Sequence, residues 1–262
     1  MRPRSSEQSI SANKNYFDSR GITQKHDEQH LHNEMAKRIG KALLNIYSFD
    51  DEHTTMLDFA CGTGLNSRFL APYVKSIIGV DISQEMVDRY NKRVENQGIS
   101  QEEMRAICVP EELLDTSIDQ ESDNRLKKLL GDVEFDVAIC CMSYHHFPSI
   151  SSATRLLSSL LRPGGYLYVA DVESISKADH TGQSITDLEP IFPDGACDAG
   201  VVMHQYGFSE VQIKDSFVNA GLAGLDAETG QISRFTYDVA TRAFKNGKAV
   251  NIFIAGGMKP PL

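Results

Sequence analysis

The chain has 262 residues, of which 41% are hydrophobic and 24% charged, a composition typical of globular proteins and unlike that of disordered or fibrous chains. This length is near the upper limit for one hydrophobic core, so we expect a single domain over residues 1–262. With 26 lysines and arginines against 36 aspartates and glutamates the formal net charge is −10. A surface of that sign repels nucleic acid, which we exclude as a partner.

The cysteines and the apolar runs together indicate a cytoplasmic protein. The five cysteines are Cys61, Cys108, Cys140, Cys141 and Cys197. Four of them lie in or directly after strand-like runs and none forms a CxxC pair, which favours buried reduced thiols over disulfides or zinc ligands. No apolar run approaches the roughly 18 to 20 residues that cross a bilayer, and the polar N-terminus is unlike a signal peptide. We expect no membrane association.

In chain order, the predicted elements alternate between helices and strands. Residues 1–30 are polar with a few apolar anchors, and we expect them to form a mobile lid or extension that docks on the rest of the chain. Apolar residues at spacings of three and four predict a helix over 31–47. Short apolar runs then predict strands at 56–60, 76–80, 105–109, 135–142, 166–170 and 250–255, with helices at 65–73, 84–96, 153–161 and 211–220.

This alternation predicts an α/β fold with a Rossmann-like, doubly wound sheet. Strands separated by helices form right-handed βαβ units, so the sheet is expected to be mostly parallel with helices on both faces. The nearly continuous apolar run at 135–142 indicates a strand that is buried on both faces. The run at 250–255 is expected to add an antiparallel C-terminal strand at the edge of the sheet.

The most informative segment is the loop after the first strand, Asp58-Phe-Ala-Cys-Gly-Thr-Gly64. Gly62 and Gly64 allow the backbone to approach a ligand closely, and the following helix presents unpaired N–H groups. In an open α/β sheet ligands bind beyond the carboxyl ends of the strands, where this loop lies. Asp81, at the end of the second strand, is placed to accept hydrogen bonds from a ribose diol. We therefore expect a nucleoside ligand.

Two classes of nucleoside cofactor are compatible with an acid at the end of the second strand. The nicotinamide dinucleotide fingerprint also ends its second strand with an acid, so an NAD(P)-dependent oxidoreductase is one interpretation. That fingerprint, however, has no use for a carboxylate at the start of the loop. Asp58 would repel a pyrophosphate but would attract a cationic ligand that carries an ammonium and a sulfonium group. The loop therefore favours the cationic ligand.

These segments together resemble the class I S-adenosylmethionine-dependent methyltransferases, and more closely their small-molecule branch, which includes ubiquinone and menaquinone methyltransferases. The resemblance is carried by DFACGTG at 58–64, GVDIS at 79–83, FDVAICCMSYHHF at 135–147 and LRPGGYLYVAD at 161–171. It implies S-adenosyl-L-methionine as cofactor and in-line transfer of a methyl group to an oxygen, nitrogen or sulfur atom of a small organic acceptor. The resemblance runs from about residue 56 to residue 172. We divide the single domain into a lid or extension at 1–30, a cofactor-binding core at 31–172, and acceptor-pocket and C-terminal sheet elements at 173–262.

The resemblance also implies a set of cofactor contacts. Asp58 and the glycine loop hold the methionine part, and Asp81 holds the ribose hydroxyls. Ala60 replaces the usual first glycine of the loop, and the segment after the third strand lacks the usual acid–alanine pair that meets the adenine amino group, for which Glu111 is the expected substitute. The full set is Tyr16, Asp58, Ala60, Gly62, Gly64, Asn66, Asp81, Ile82, Met86, Pro110, Glu111, Cys141 and His146.

Histidines supply the candidate catalytic groups. His145 and His204 are expected to flank the reacting methyl group, and an imidazole that titrates near neutral pH can remove a proton from the acceptor; alternatively both only shape the pocket. His26, His30 and His32 lie on a polar segment and are interpreted as solvated side chains, so we expect no metal. The acceptor and the oligomeric state stay open, as does a third interpretation, a methyltransferase-like binding protein without turnover.

Overall fold

The structure, a computed structural model, describes residues 5–19, 21, 30–113, 120–174, 191–192, 200–222, 224–225, 232–233, 235–245 and 248–261. The helices in these ranges are α1 (Ser6–Phe17), α2 (His30–Ile46), α3 (Leu65–Leu70), α4 (Gln84–Asn96), α5 (Gln120–Leu129), α6 (Ile150–Leu160) and α7 (Glu210–Asn219). The strands are β1 (Thr55–Phe59), β2 (Ser76–Asp81), β3 (Met104–Cys108), β4 (Phe135–Cys141), β5 (Leu161–Val172), β6 (Gly224–Leu225), β7 (Ile232–Ser233), β8 (Phe235–Lys245) and β9 (Lys248–Met258).

One seven-stranded sheet organises the fold, with the strand order β3-β2-β1-β4-β5-β9-β8. The five strands from β3 to β5 in this order are parallel to one another, whereas β9 is antiparallel to both β5 and β8. The predicted Rossmann-like, mostly parallel sheet is therefore confirmed. Because the chain winds outward in opposite directions from β1 and β4, a crevice is expected at the carboxyl ends of these two strands.

The position of the last strand corrects one detail of the prediction. β9 is antiparallel as expected but lies inside the sheet, between β5 and β8, and the edge is formed by β8. The residues at 252–255 are almost fully buried, as a central strand requires. Sequence patterning missed β8, in which the register shifts between Val239 and Thr241 and the two-residue period extends only over its first five residues.

Side chains on the two faces of the sheet form two separate cores. Along β4, Ala138 and Cys140 belong to one cluster, and Val137 and Ile139 belong to the other. This alternation is the two-residue period of a strand. The first core is completed mainly by α5, α6 and α7 and the second by α2 and α4, so helices cover both faces, as predicted. Among the described residues, no helix is both long and apolar enough to cross a membrane.

The N-terminal segment contains a helix that its apolar spacing did not predict. α1 begins with a capping box, in which the Ser5 side chain accepts the N–H of Gln8 and the Gln8 side chain accepts the N–H of Ser5. Such a box satisfies two backbone donors that would otherwise lack partners. Only Ser9, Ile10 and Asn13 are buried in this helix, so it rests on the domain with a narrow face and contributes little to the core.

Candidate active site

A cavity of about 700 Å³ lies at the carboxyl ends of β1, β2 and β4, where the strand order predicts a crevice. Its volume is within the range of roughly 300 to 1,000 Å³ that is usual for small-molecule sites. The walls come from α1, the start of α2, the loop after β1, the start of α4 and the segments at 141–149 and 201–202. The lining is mainly apolar, with a few polar side chains that converge on it.

Most of the residues expected to form the site line this cavity. They are Tyr16, Ala60, Gly62, Asn66, Asp81, Ile82, Met86, Cys141, His145 and His146. Five expected residues lie outside the lining, namely Asp58, Gly64, Pro110, Glu111 and His204. The lining also includes residues that the sequence did not single out, among them Asn13 and Phe17 of α1, Met35 of α2, and Phe192.

The loop after β1 turns sharply through left-handed backbone conformations. Ala60 has a φ of 56° and Gly62 of 53°, and a residue with a Cβ atom pays roughly 1–2 kcal/mol for this conformation, which explains why glycine is the usual residue at position 60. Gly64 has a packing role, because a Cβ atom there would lie 2.5 Å from the ring of Tyr90. Gly64 thus allows the loop to pack against α4 and does not itself line the cavity.

Asp58 lies directly beneath this loop and is only 1% exposed. The Ser67 hydroxyl donates a hydrogen bond to its Oδ2 at 2.6 Å. The pKa of Asp58 is raised from 3.8 to about 7, mainly by burial; the Ser67 hydrogen bond opposes this rise and the charge of Asp81 adds to it. A cation in the cavity would favour the ionised form of this carboxyl group, so Asp58 can act on a ligand through its charge without touching it.

Asp81 faces the cavity from the end of β2. Its Oδ2 accepts the N–H of Gly62 at 2.8 Å and its Oδ1 accepts the N–H of Ser83 at 2.9 Å. Burial raises the pKa of Asp81, although these backbone hydrogen bonds favour its ionised form. Each carboxylate oxygen keeps a further lone pair. The carboxylate is therefore fixed in orientation and can accept hydrogen bonds from two adjacent hydroxyl groups.

α1 closes the cavity above the carboxyl ends of β2 and β3. The Ser11 hydroxyl donates to the carboxylate of Glu111, and the Ser83 hydroxyl donates to Oδ1 of Asp18 at 2.8 Å. Glu111 is thus engaged by α1 and lies outside the cavity, as does Pro110. A 3-10 turn at 111–113 follows β3, and Glu111 at its start bonds to α1, so the expected contact of these two residues with an adenine ring stays a prediction.

A buried histidine–aspartate pair lies at the cavity, with His145 in the lining and Asp171 behind it. Nδ1 of His145 lies 2.8 Å from Oδ1 of Asp171, and the backbone N–H of His145 donates to Oδ2 at 3.1 Å. The imidazole stacks on Phe192 with 4.2 Å between ring centroids. Although burial alone would raise the pKa of Asp171, the interaction with His145 holds it below its usual value. Because an ionised carboxylate only accepts, Nδ1 carries the proton and Nε2 is the basic nitrogen.

Asp171 was not identified from the sequence, but a signal for it exists. It lies near the carboxyl end of β5, next to β4 in the sheet, just as Asp58 and Asp81 lie near the carboxyl ends of β1 and β2. Acidic residues at this edge of an α/β sheet are placed to act in its ligand site. Applying that rule to β5 would have paired Asp171 with the histidines that follow β4.

The other two histidines of interest are bonded to backbone carbonyls. Nδ1 of His146 lies 2.8 Å from the carbonyl oxygen of Val201, at the cavity wall. His204 lies outside the cavity lining, its Nε2 is 3.1 Å from the carbonyl oxygen of Phe147, and burial lowers its pKa. Its backbone N–H donates to the carbonyl of His145. The position of His204 outside the lining favours the alternative in which this side chain only shapes the pocket.

Comparison with known proteins identifies the family of the chain. A family model described as a methyltransferase domain matches residues 28–226. The chain belongs to this methyltransferase family. An uncharacterized methyltransferase of Schizosaccharomyces pombe is 36% identical over 172 residues, which cover 66% of this chain and 54% of that protein. The ubiquinone biosynthesis O-methyltransferase of Coxiella burnetii is 26% identical over 123 residues, which cover 47% of this chain and 45% of that protein. The chain thus spans about half the length of the curated relatives it matches.

Solved structures share the fold of this methyltransferase domain. Geranyl diphosphate C-methyltransferase from Streptomyces coelicolor matches with a TM-score of 0.61 and 11% identity over 98% of this chain and all (100%) of that chain. Magnesium protoporphyrin IX methyltransferase from Synechocystis was solved with bound S-adenosylmethionine. It matches with a TM-score of 0.56 and 14% identity over 98% of this chain and 100% of that chain. A [4+2]-cyclase, SpnF, matches with a TM-score of 0.55 and 15% identity over 86% of this chain and 81% of that chain. Because a cyclase shares this fold, the fold alone does not determine the reaction.

The remaining cysteines and histidines of the methyltransferase domain form no metal centre in the part of the chain that is described. No group of three or more potential ligands occurs among those residues. His30 is exposed and His32 lines the cavity, whereas His26 and Cys197 fall outside the described residues. The thiols of Cys61, Cys108, Cys140 and Cys141 are free. Burial raises the pKa of all four, so these thiols stay protonated and unreactive at neutral pH.

Proposed function

We propose that this chain binds S-adenosylmethionine and transfers its methyl group to an oxygen, nitrogen or sulfur atom of a small organic acceptor. Family membership supports the class of reaction. The observation that carries the choice of cofactor is the pair of carboxyl groups at the cavity, the buried Asp58 beneath the loop and the half-buried Asp81 at the end of β2. In their ionised forms these two groups favour a ligand with ammonium and sulfonium charges and disfavour the pyrophosphate of a dinucleotide.

The residues of the cavity fit this cofactor. Asp81 presents two fixed acceptor oxygens to a ribose diol. Oδ1 of Asn66 is buried at the cavity without a hydrogen-bond partner among the described residues, so it can accept from a ligand ammonium or hydroxyl group. Ile82 and Met86 supply an apolar surface for the adenine. When bound, the cofactor supplies a methyl group that its sulfonium has already activated.

On the acceptor side, we propose that His145 removes the proton when the acceptor is a hydroxyl or a protonated amine. The proton passes from the acceptor atom to Nε2, and the resulting imidazolium is stabilised by the ionised Asp171 at Nδ1. Asp171 acts through His145 and is a positioning residue. Its full burial keeps it away from the acceptor itself. A thiol acceptor, being more acidic, would depend less on this pair.

Apolar side chains form the rest of the proposed acceptor pocket. Leu31, Met35 and Ile39 of α2 face this part of the cavity together with Val172 of β5 and Ile252 of β9. Such a wall excludes water and suits an acceptor with a largely apolar body. Holding acceptor and methyl donor in line in a dry pocket can contribute about 7–11 kcal/mol to lowering the barrier. We further propose that the reaction takes place in the cytoplasm, in keeping with the free thiols.

Calorimetry with S-adenosylmethionine and with NADH tests this function. We expect the first ligand to bind and the second not to bind. Labelled S-adenosylmethionine and a metabolite extract then identify the acceptor from the labelled product. Tighter binding of NADH would contradict the proposal and favour an oxidoreductase, and cofactor binding without transfer to any metabolite would favour a methyltransferase-like binding protein.

We propose that α1 acts as a lid over the cofactor, and deleting residues 1–25 is expected to lower kcat/KM strongly while changing the Tm by only a few degrees. α1 supplies four cavity residues, including Tyr16 and Phe17, yet contributes little buried surface to the core. Loss of the lid admits water and leaves the site incomplete. Steady-state kinetics and thermal unfolding of the two proteins check this expectation, and full activity of the shortened chain would show that the segment is passive.

The affinity for S-adenosylmethionine is expected to rise with pH between about 6 and 8. With a pKa of about 7, Asp58 is mostly protonated at the lower pH and ionised at the higher, and a cationic ligand prefers the ionised form; this single group changes affinity by at most about tenfold per pH unit. The contribution of Asp58 to the stability of the ligand-free protein is expected to change in the opposite direction. Because its folded-state pKa exceeds the unfolded one, this contribution falls as the pH rises from about 4 to 7.

The variant Asp58→Asn is the control for this pH dependence. Its amide oxygen can still accept from Ser67, but it carries no charge and does not titrate. Calorimetry of the variant therefore reports only the titration of the ligand and of the other groups. An equal pH slope in both proteins would rule out Asp58 as the group responsible.

A further inference from the structure

Asn13 of α1 carries an unpaired buried acceptor that faces the cavity. The side chain is 5% exposed, and its Nδ2 donates to the carbonyl oxygen of Ser9 at 3.0 Å. This hydrogen bond fixes the orientation of the amide, because the carbonyl of Ser9 must face the NH₂ group and not the oxygen. Oδ1 of Asn13 has no hydrogen-bond partner among the described residues. Native proteins rarely leave such an atom unsatisfied, so a ligand donor is expected there.

α1 docks across the carboxyl ends of β2 and β3 through one anchor on each side of Asn13. Ser11 anchors the helix to Glu111 after β3, and Asp18 anchors it to Ser83 after β2. Asn13 lies between these two anchors along the helix, on the face that lines the cavity. The acid at the end of β2 is the group that binds ribose in sheets of this kind. A base attached to that ribose would therefore extend between β2, β3 and α1.

The chemistry of adenine identifies the donor. Its ring nitrogens N1, N3 and N7 are acceptors, and the exocyclic 6-amino group is the donor that the base presents. An amide oxygen is a suitable partner for that amino group. Glu111, which occupies the position expected to supply this contact, is engaged by Ser11 and lies outside the cavity. Oδ1 of Asn13 is unpaired and Asn13 lines the cavity, so this atom can supply the contact.

We propose that Oδ1 of Asn13 accepts a hydrogen bond from the 6-amino group of the cofactor's adenine. α1 thereby selects adenine over purines that lack this donor, and the bound cofactor in turn holds α1 closed on the cavity. This inference rests on the proposed function, since it assumes that the cavity binds an adenosine cofactor. It makes Asn13 a specificity-determining residue contributed by the lid.

The test compares two ligands by calorimetry, S-adenosylhomocysteine and its analogue in which hydrogen replaces the 6-amino group. We expect the wild-type protein to prefer the amino compound by roughly 5- to 100-fold, as for a hydrogen bond whose loss leaves a buried acceptor unpaired. In Asn13→Leu this preference is expected to fall to within about threefold. The matched control is Asn15→Leu, the same substitution on an exposed position of α1, which is expected to keep the preference.

Amide hydrogen exchange provides a second measurement that does not depend on activity. The amino compound is expected to protect the backbone of α1 more strongly than the analogue does. Equal affinities of the wild-type protein for the two ligands would overturn the inference, even if Asn13→Leu failed to fold. An equal loss of affinity for both ligands in Asn13→Leu would also overturn it, because the side chain would then be structural. If the wild-type protein bound neither ligand, the proposed function itself would fail, a result distinct from these two.

Discussion

Replacing His145 with asparagine is expected to lower kcat by about 100- to 10,000-fold, the usual contribution of a general base, while the affinity for S-adenosylmethionine stays unchanged. Asparagine keeps polarity and some of the volume but cannot take up a proton. The expectation follows from Nδ1 being bound to Asp171 at 2.8 Å, which leaves Nε2 as the basic nitrogen at a cavity wall. Single-turnover rates and calorimetry measure the two quantities separately once an acceptor is known.

Two further variants make this prediction specific. Asp171→Asn is expected to lower kcat and to change the pH–rate profile although His145 is still present, because an amide can donate to Nδ1 and reverse the imidazole tautomer. His204→Asn is the matched control, since this histidine lies outside the cavity lining, and kcat is expected to change by no more than a few fold. If His145→Asn keeps kcat within a few fold across pH 6 to 9, no histidine base operates and catalysis rests on positioning.

The second large effect is expected at Asp81. The change Asp81→Ala is predicted to weaken cofactor binding by about 1.5–3 kcal/mol, the range for hydrogen bonds to a charged group, with the fold retained. The carboxylate accepts from the backbone of Gly62 and Ser83, so the variant loses both the ribose contacts and the hydrogen bonds that hold the loop. Calorimetry with S-adenosylmethionine measures the loss.

A surface carboxylate on the adjoining helix provides the comparison for Asp81. Asp88 is exposed on α4 and pairs only with Gln84 in the described hydrogen bonds. Asp88→Ala removes the same formal charge at a position outside the cavity and is expected to change the affinity by less than about twofold, because exposed charges are screened. Unchanged affinity in Asp81→Ala would remove this residue from the proposed site.

Local sequence patterns determined the parts of the fold whose signal is short-range. The alternation of apolar strands with amphipathic helices predicted the parallel sheet, because each pattern depends on neighbours only a few residues away. The loop at 58–64 and Asp81 were recognisable for a related reason. A strand followed by a glycine turn and a helix places its ends at one known edge of the sheet whatever lies further along the chain.

Only the tertiary structure decided which distant residues meet at that edge. Asp171 pairs with His145 because β4 and β5 are neighbours in the sheet, and Glu111 turns away from the cavity because α1 engages it. The position of β9 between β5 and β8 is likewise a matter of long-range strand pairing, which no local period records. The physical reason is common to these cases. Such contacts are selected by the packing free energy of the whole domain, and propensity and periodicity describe only the few residues on either side of a position.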